Sequence, residues 1–180
     1  CQVYLSEAEG DLAGRDENYI WISGSRYTGG LIGNIDGTVT ITDSFAATVA
    51  GNLSTDYTGG LVGHVTGNLT LENSYADCYL YGQNTGGLVG AASDDNSNIT
   101  ISSCYSAGYI TATNKAAGFV PETVNRISSA YSAVAYMQHD DKYAAHVYAT
   151  VSSYDGTPSK VYYLNSGGIV VASQVGTLLS

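Results

Sequence analysis

The hexapeptide TGGLIG at Thr28 returns as TGGLVG at Thr58 and once more as TGGLVG at Thr85. A phosphate-cradling loop is needed once per site, whereas a motif recurring at a near-constant interval requires the chain to revisit one geometry. Aligned on this motif, the apolar anchors are Leu31, Leu61 and Leu88, then the degenerate Gly118-Phe119 and His146-Val147, with steps of 30, 27, 31 and 28 residues. A second landmark follows each of the first four anchors: Ser44-Phe45-Ala46, Ser74-Tyr75-Ala76, Cys104-Tyr105-Ser106 and Ala130-Tyr131-Ser132. Tyr162-Tyr163 continues that series.

Between the landmarks the pattern alternates, in Thr38-Val39-Thr40-Ile41-Thr42, Asn68-Leu69-Thr70-Leu71-Glu72 and Asn98-Ile99-Thr100-Ile101-Ser102. A period of two marks a half-buried strand, with Val39, Leu69 and Ile99 inward and Thr40, Thr70 and Thr100 toward water. If each repeat is one turn of a solenoid, equivalent residues stack and successive turns pair as parallel strands about 4.8 Å apart. The expected fold is all-β: a parallel β-helix, or β-solenoid, of about five coils of about 30 residues. Leu31, Leu61 and Leu88 form an inward ladder on this reading. Gly33, Gly63 and Gly90 then fall where a larger side chain would crowd a narrow core. The pairs Gly29-Gly30, Gly59-Gly60 and Gly86-Gly87 are expected at a corner that uses positive φ. Asp43, Asn73, Ser103 and Ser129 form a polar column at the next corner, with side chains bonding along the stack. The strand after the aromatic landmark is expected to turn Leu80, Ile110 and Tyr136 inward.

Charged residues are only 12% of the chain, yet 16 acids against 6 bases leave a net charge of -10. That sign, with the bases scattered, disfavours nucleic acid and anionic membrane as partners. Sixteen Tyr, 22 Gly and 2 Pro suit a β-rich, turn-rich chain. No apolar run approaches the ~20 residues of a membrane-spanning helix. The chain opens on Cys1 without a signal peptide. Such a start fits a mature exported protein with a lipid anchor on Cys1, and equally an excerpt of a longer polypeptide. With Cys78 and Cys104 the cysteine count is odd, so a full disulfide framework within the chain is not expected. The two lie four columns apart in neighbouring repeats, beyond disulfide reach on one flat strand pair, so each is expected to be a free buried thiol.

Gly30-Leu31-Ile32-Gly33, Gly60-Leu61-Val62-Gly63 and Gly87-Leu88-Val89-Gly90, with the downstream Ser74-Tyr75-Ala76, resemble the GLUG repeat of large bacterial surface proteins. The resemblance covers residues 28–166, strong over three repeats and decayed over two: the motif becomes Gly-Phe-Val-Pro at Gly118 and is lost at His146. It implies a right-handed β-solenoid in an extracellular passenger, stalk or adhesive region, within a longer chain, and no catalytic residues in the repeats. A protease activity elsewhere in such polypeptides is not implied, because no HExxH helix is present. Residues 1–27 do not fit the repeat and are expected as an amino-terminal cap or entering coil, residues 28–168 as the solenoid, and residues 169–180 as a closing segment.

Candidate sites are few. Gln138-His139-Asp140-Asp141-Lys142 with nearby His146 offers metal or acid–base groups, but Lys142 opposes a cation, and a solvated loop between degenerate coils is expected. Ser93-Asp94-Asp95-Asn96-Ser97-Asn98 offers oxygen ligands near Asp94 of the kind Ca²⁺ accepts, without the glycine and terminal glutamate of a helix–loop–helix calcium site, so a turn is expected. The Thr40, Thr70, Thr100 column resembles water-ordering arrays, but Glu72 and Arg126 interrupt it. Asn52, Asn68 and Asn98 begin glycosylation sequons. Tyr75, Tyr105 and Tyr131 recur in register and are expected as core or corner ladders. Tyr79, Tyr81, Tyr109, Tyr143 and Tyr148 can face outward as candidate ligand contacts, although surface tyrosine that simply suits β-strands accounts for them more readily.

The expected function is a non-enzymatic, extracellular structural or adhesive segment of a bacterial cell-surface protein, with no cofactor and no metal. Its partners would be host or cell-surface proteins or glycans and other modules of a longer chain. Two alternatives stay open: a carbohydrate-binding module using exposed tyrosines, and a subunit of a self-assembling filament. A polysaccharide-degrading β-helix would need clustered acids with a basic partner across adjacent coils, and no convincing set is present.

Overall fold

The structure, a computed structural model, describes residues 20–92, 97–121, 124–138, 162–165 and 168–171. It is all-β, a β-solenoid of about 4 turns. The first turn holds β1 (Ile20–Ile22), β2 (Tyr27–Gly29) and β3 (Ile32–Thr42). The second holds β4 (Phe45–Ala46), β5 (Thr48–Gly51), β6 (Tyr57–Gly59) and β7 (Val62–Glu72). The third holds β8 (Tyr75–Gly86), β9 (Val89–Ala92) and β10 (Asn98–Ser102), the fourth β11 (Tyr105–Ala117) and β12 (Arg126–Ser128). Then come β13 (Tyr131–Gln138), β14 (Tyr162–Asn165) and β15 (Gly168–Val171). The fifth anchor expected at His146-Val147 lies outside the described residues. Ile20–Ile22, expected as cap or entering coil, pair in parallel with β5. At the other end β14 and β15 pair antiparallel, Asn165 opposite Gly168.

Two sheets form the walls. One contains β3, β7, β10 and β12 side by side, with β9 beside β7; the other runs β1, β5, β8, β11, β13, β14, β15. The alternating segments stack in parallel and in register: Val39 on Leu69 on Ile99, Ile41 on Leu71 on Ile101 on Ile127. Their inward side chains, with Leu61, Leu88 and Phe119, make one continuous core. Leu61, Leu88 and Phe119 are wholly buried, each contributing about 1.5–3 kcal/mol relative to exposure. Leu31, in the first turn, is only partly buried. On the other wall Leu80 and Ile110 point inward from β8 and β11, and Tyr136 shares their column.

The uneven steps have a local cause. Gly51 lies beside Tyr81 but Tyr57 lies beside Asn84, so residues 52–56 loop out where β8 runs straight through. One turn later the register slips between Ala112 and Lys115, a bulge of one residue. Columns are regained on both sides of each irregularity.

Two expectations about the motif glycines are corrected. Among the described residues, glycines with positive φ are Gly37, Gly51, Gly67 and Gly108, and none belongs to the paired positions. The pairs are glycine because nothing larger fits. A Cβ on Gly59 would stand 2.6 Å from the Gly90 nitrogen, and one on Gly60 would stand 2.5 Å from the Ala76 Cβ. Nor are Gly63 and Gly90 small to spare core side chains. Their added Cβ atoms would meet backbone, the Thr28 nitrogen at 2.6 Å and the Thr58 carbonyl carbon at 2.7 Å respectively. Gly33, in the first turn, meets only the Tyr27 carbonyl oxygen at 3.3 Å.

The positive-φ corner is instead the polar column. Asp43, Asn73, Ser103 and Ser129 have φ of 48°, 47°, 53° and 50°, a conformation Asn and Asp tolerate better than most residues. Bonding at this corner falls to the neighbouring residue rather than to the column's own side chains. Ser44 Oγ donates to the Thr42 carbonyl at 2.7 Å, Ser74 Oγ to Glu72 at 2.7 Å, and Cys104 Sγ to Ser102 at 3.1 Å. The Ser44 N–H in turn donates to Ser74 Oγ at 3.2 Å. Backbone N–H groups of Asp43, Asn73 and Ser103 donate to carbonyls of the next turn.

Candidate functional site: aromatic columns on the outer wall

After the corner each chain passage begins with an aromatic residue followed by a small one. In β8 the alternation buries Ala76, Cys78 and Leu80 and turns Tyr75, Asp77, Tyr79 and Tyr81 outward. Parallel in-register pairing then lines like residues up along the solenoid. Phe45, Tyr75, Tyr105 and Tyr131 form one column, and Val49, Tyr79, Tyr109 and Ala135 another. Of the two places expected for the Tyr75, Tyr105 and Tyr131 ladder, core or corner, the structure gives the second: the three stand in register two residues after the left-handed corner, Tyr75 and Tyr131 half-buried and Tyr105 exposed. The inward partner in the landmark is the small residue, Ala76 or Ser106, which the adjacent glycine pair leaves no room to enlarge.

The rings stack along the solenoid axis. Phe45 and Tyr75 have centroids 5.2 Å apart at 9°, Tyr75 and Tyr105 are 4.6 Å apart at 5°, and Tyr79 and Tyr109 are 5.2 Å apart at 19°. Tyr105 and Tyr109 are the most exposed, at 41% and 42%. Between the columns lies Asp77, exposed, beside Ala107 and Ala133 in register. Partial burial, then the neighbouring Tyr75 and Asp77, hold the Tyr105 hydroxyl above its ordinary value. Tyr81 lies elsewhere: its ring stacks on Trp21 at 5.9 Å, two strands away, across Gly51. Tyr143 and Tyr148 lie outside the described residues, as do Cys1, Asp94 and the cluster from His139 to His146.

A second aromatic group was not anticipated. Tyr27 and Tyr57, each just before its TGG, stack at 5.9 Å. His64 packs on Tyr27 at 4.4 Å and on Tyr57 at 5.3 Å, and its Nδ1 is 2.8 Å from Asn34 Oδ1. The Arg26 guanidinium sits 5.0 Å over the Tyr27 ring. The repeated tyrosine before Thr28 and Thr58 was a visible signal, while the participation of His64 was not.

Cys78 and Cys104 are free and buried, and burial pushes both thiols above their ordinary value. Among the described residues no group of three or more His, Cys, Asp or Glu is placed to hold a metal ion.

Face-to-face stacking limits what the outer wall can recognise. A sugar ring needs the open face of an aromatic ring to stack flush. The faces that Tyr75 and Tyr105, or Tyr79 and Tyr109, turn toward each other are already covered. Apart from the faces at the ends of each stack, what these columns offer a partner is ring edges, hydroxyls and the Asp77 carboxylate. Fold and surface together define a β-solenoid with an aromatic outer wall. No family model, curated protein or solved structure matches the chain.

Proposed function

We propose that this chain is a GLUG-type structural and adhesive segment of a bacterial cell-surface protein, acting outside the cell without catalysis. A stiff stack of turns presents the tyrosine columns as a protein-contact surface. The observation that carries this reading is the outward, in-register pairing of Tyr75 with Tyr105 and Tyr79 with Tyr109. Tyrosine supplies large contact area at low conformational cost, which suits it to contact anchors. The repeated glycines support the mechanical half of the reading, since their role is coil-to-coil approach.

Beads coated with the protein should be retained under flow on glycoprotein-coated and on deglycosylated protein-coated surfaces alike. Tyr105→Ser with Tyr109→Ser should reduce retention severalfold on both. Retention unaffected by these substitutions, or absent on both surfaces, overturns the reading. Retention lost on deglycosylation would favour the carbohydrate-binding alternative.

The filament alternative draws on a separate observation. Among the described residues β3 has a strand neighbour on one side only, β7, leaving an 11-residue edge of the kind that pairs with another chain. Sedimentation that shifts with concentration would support it.

A further inference from the structure

We propose that the outer wall contains two built-in sites for oxidative tyrosine cross-linking, Tyr75 with Tyr105 and Tyr79 with Tyr109, joining neighbouring turns by a carbon–carbon bond between phenol rings. This inference does not depend on the proposed function.

The argument begins with register. Tyr75 lies opposite Tyr105 and Tyr79 opposite Tyr109 on adjacent parallel strands. Parallel neighbours are about 4.8 Å apart, and the ring centroids keep that spacing, 4.6 Å and 5.2 Å, with planes 5° and 19° from parallel. Two phenoxyl radicals couple through the ring carbons beside the hydroxyl. Here the two phenol rings of each pair already face each other before any oxidation occurs.

The neighbours of each pair bear on the outcome. Tyr75 has Phe45 on its other side, a ring with no phenol to oxidise, whereas Tyr105 has Tyr131 beside it in register, a phenol that competes for the Tyr105 radical. Tyr79 and Tyr109 are flanked in their column by Val49 and Ala135. Tyr105 and Tyr109 are the more exposed members, at 41% and 42%, so a bulky oxidant can reach them. The Tyr27–Tyr57 pair differs. Its rings are 5.9 Å apart, and His64 packs against both. It serves as an internal control that is not expected to couple.

The step requires a one-electron oxidant, here a haem peroxidase with hydrogen peroxide. Each phenol gives up one electron and its hydroxyl proton, leaving a phenoxyl radical. The radicals join at their ortho carbons, and the two displaced ring protons return to the hydroxyl oxygens as the rings regain aromaticity. Two hydrogens leave the protein per bond, and one peroxide becomes two waters.

The test treats the intact protein with peroxidase and limiting hydrogen peroxide, then uses intact-mass measurement, denaturing gels and peptide mapping. The expected product is a monomer lighter by two hydrogens per bond, with dityrosine fluorescence and cross-linked peptides joining 75 to 105 and 79 to 109. Tyr75→Phe is expected to remove the first cross-link alone, Tyr79→Phe the second alone, and the double variant both. The same treatment in urea should scramble the peptide pairs. Dityrosine found only in covalent multimers, cross-links indifferent to these substitutions, a dominant 27-to-57 link, or the same pairs formed in urea would overturn the proposal.

Discussion

Gly60 faces Ala76 across the interior so closely that a methyl group on the glycine would stand 2.5 Å from the alanine Cβ. Gly30 meets Ala46 in the same way at 2.7 Å, and Gly87 meets Ser106 at 2.8 Å. The TGGLxG motif and the aromatic-plus-small landmark are therefore the two sides of one pinch in the coil. Neither can enlarge without the other giving way.

The pinch ranks glycines that look alike in sequence. Gly60→Ala would drive a Cβ against Ala76 and against the Gly87 backbone of the next turn. Overpacking of this kind costs about 1–3 kcal/mol or more. Gly33→Ala meets only one backbone oxygen, at 3.3 Å, with no positive φ, and is expected to cost less than about 1 kcal/mol. Urea midpoints of the two variants check the order, and equal losses would refute the account.

Threonines at one motif position should respond to valine with opposite signs. Thr58 Oγ1 donates to the Tyr81 carbonyl at 2.8 Å. Thr85 Oγ1 is buried with no hydrogen-bond partner. Thr58→Val leaves a part-buried carbonyl without that donor and should cost about 1 kcal/mol, whereas Thr85→Val removes an unsatisfied buried hydroxyl and should gain a similar amount. Thermal or urea melts of both variants measure the difference in sign.

The left-handed corner offers another test. Ser103 is exposed at φ 53°, where a Cβ costs about 1–2 kcal/mol. Ser103→Gly should stabilise by about 0.5–1 kcal/mol after the unfolded-chain entropy of glycine is subtracted. Ser103→Val should destabilise by about 1–2 kcal/mol, because a β-branched residue resists this conformation most. Denaturant midpoints would read both changes.

The thiols predict a sign for alkaline pH. Burial raises Cys78 and Cys104 above the free-thiol value of 9.0. The folded state then keeps these protons after the unfolded state has lost them. Their stabilising contribution is complete below pH 9.0 and declines as pH rises above it. Tyr105, raised above 10.0, adds the same sign at higher pH. Urea midpoints from neutral pH to about pH 10 should fall less steeply for Cys78→Ala combined with Cys104→Ser. Native thiols should also resist alkylation until urea unfolds the chain.

Much of the stack was legible because solenoid geometry is written locally and repeatedly. The alternation in Thr38-Val39-Thr40-Ile41-Thr42 and its copies determined the strands and their inward columns, since a period of two leaves one face to bury. The interval between leucines set the register, while the loop at 52–56 and the bulge after Ala112, which account for steps of 27 and 31, were located only by the strand pairing. How each glycine is used was not legible. Sequence shows that Gly59 and Gly60 are glycine, but positive φ and close approach both require that residue, and only the positions of Gly87, Gly90 and Ala76 decide between them. The landmark tyrosines left core and corner open for a related reason. Recurrence in register shows that Tyr75 and Tyr105 stack, yet which face of the wall they occupy depends on the phase of β8 relative to the corner at Asn73. That phase is set by the pinch between Gly60 and Ala76, a relation between residues sixteen apart that exists only once the coil has closed.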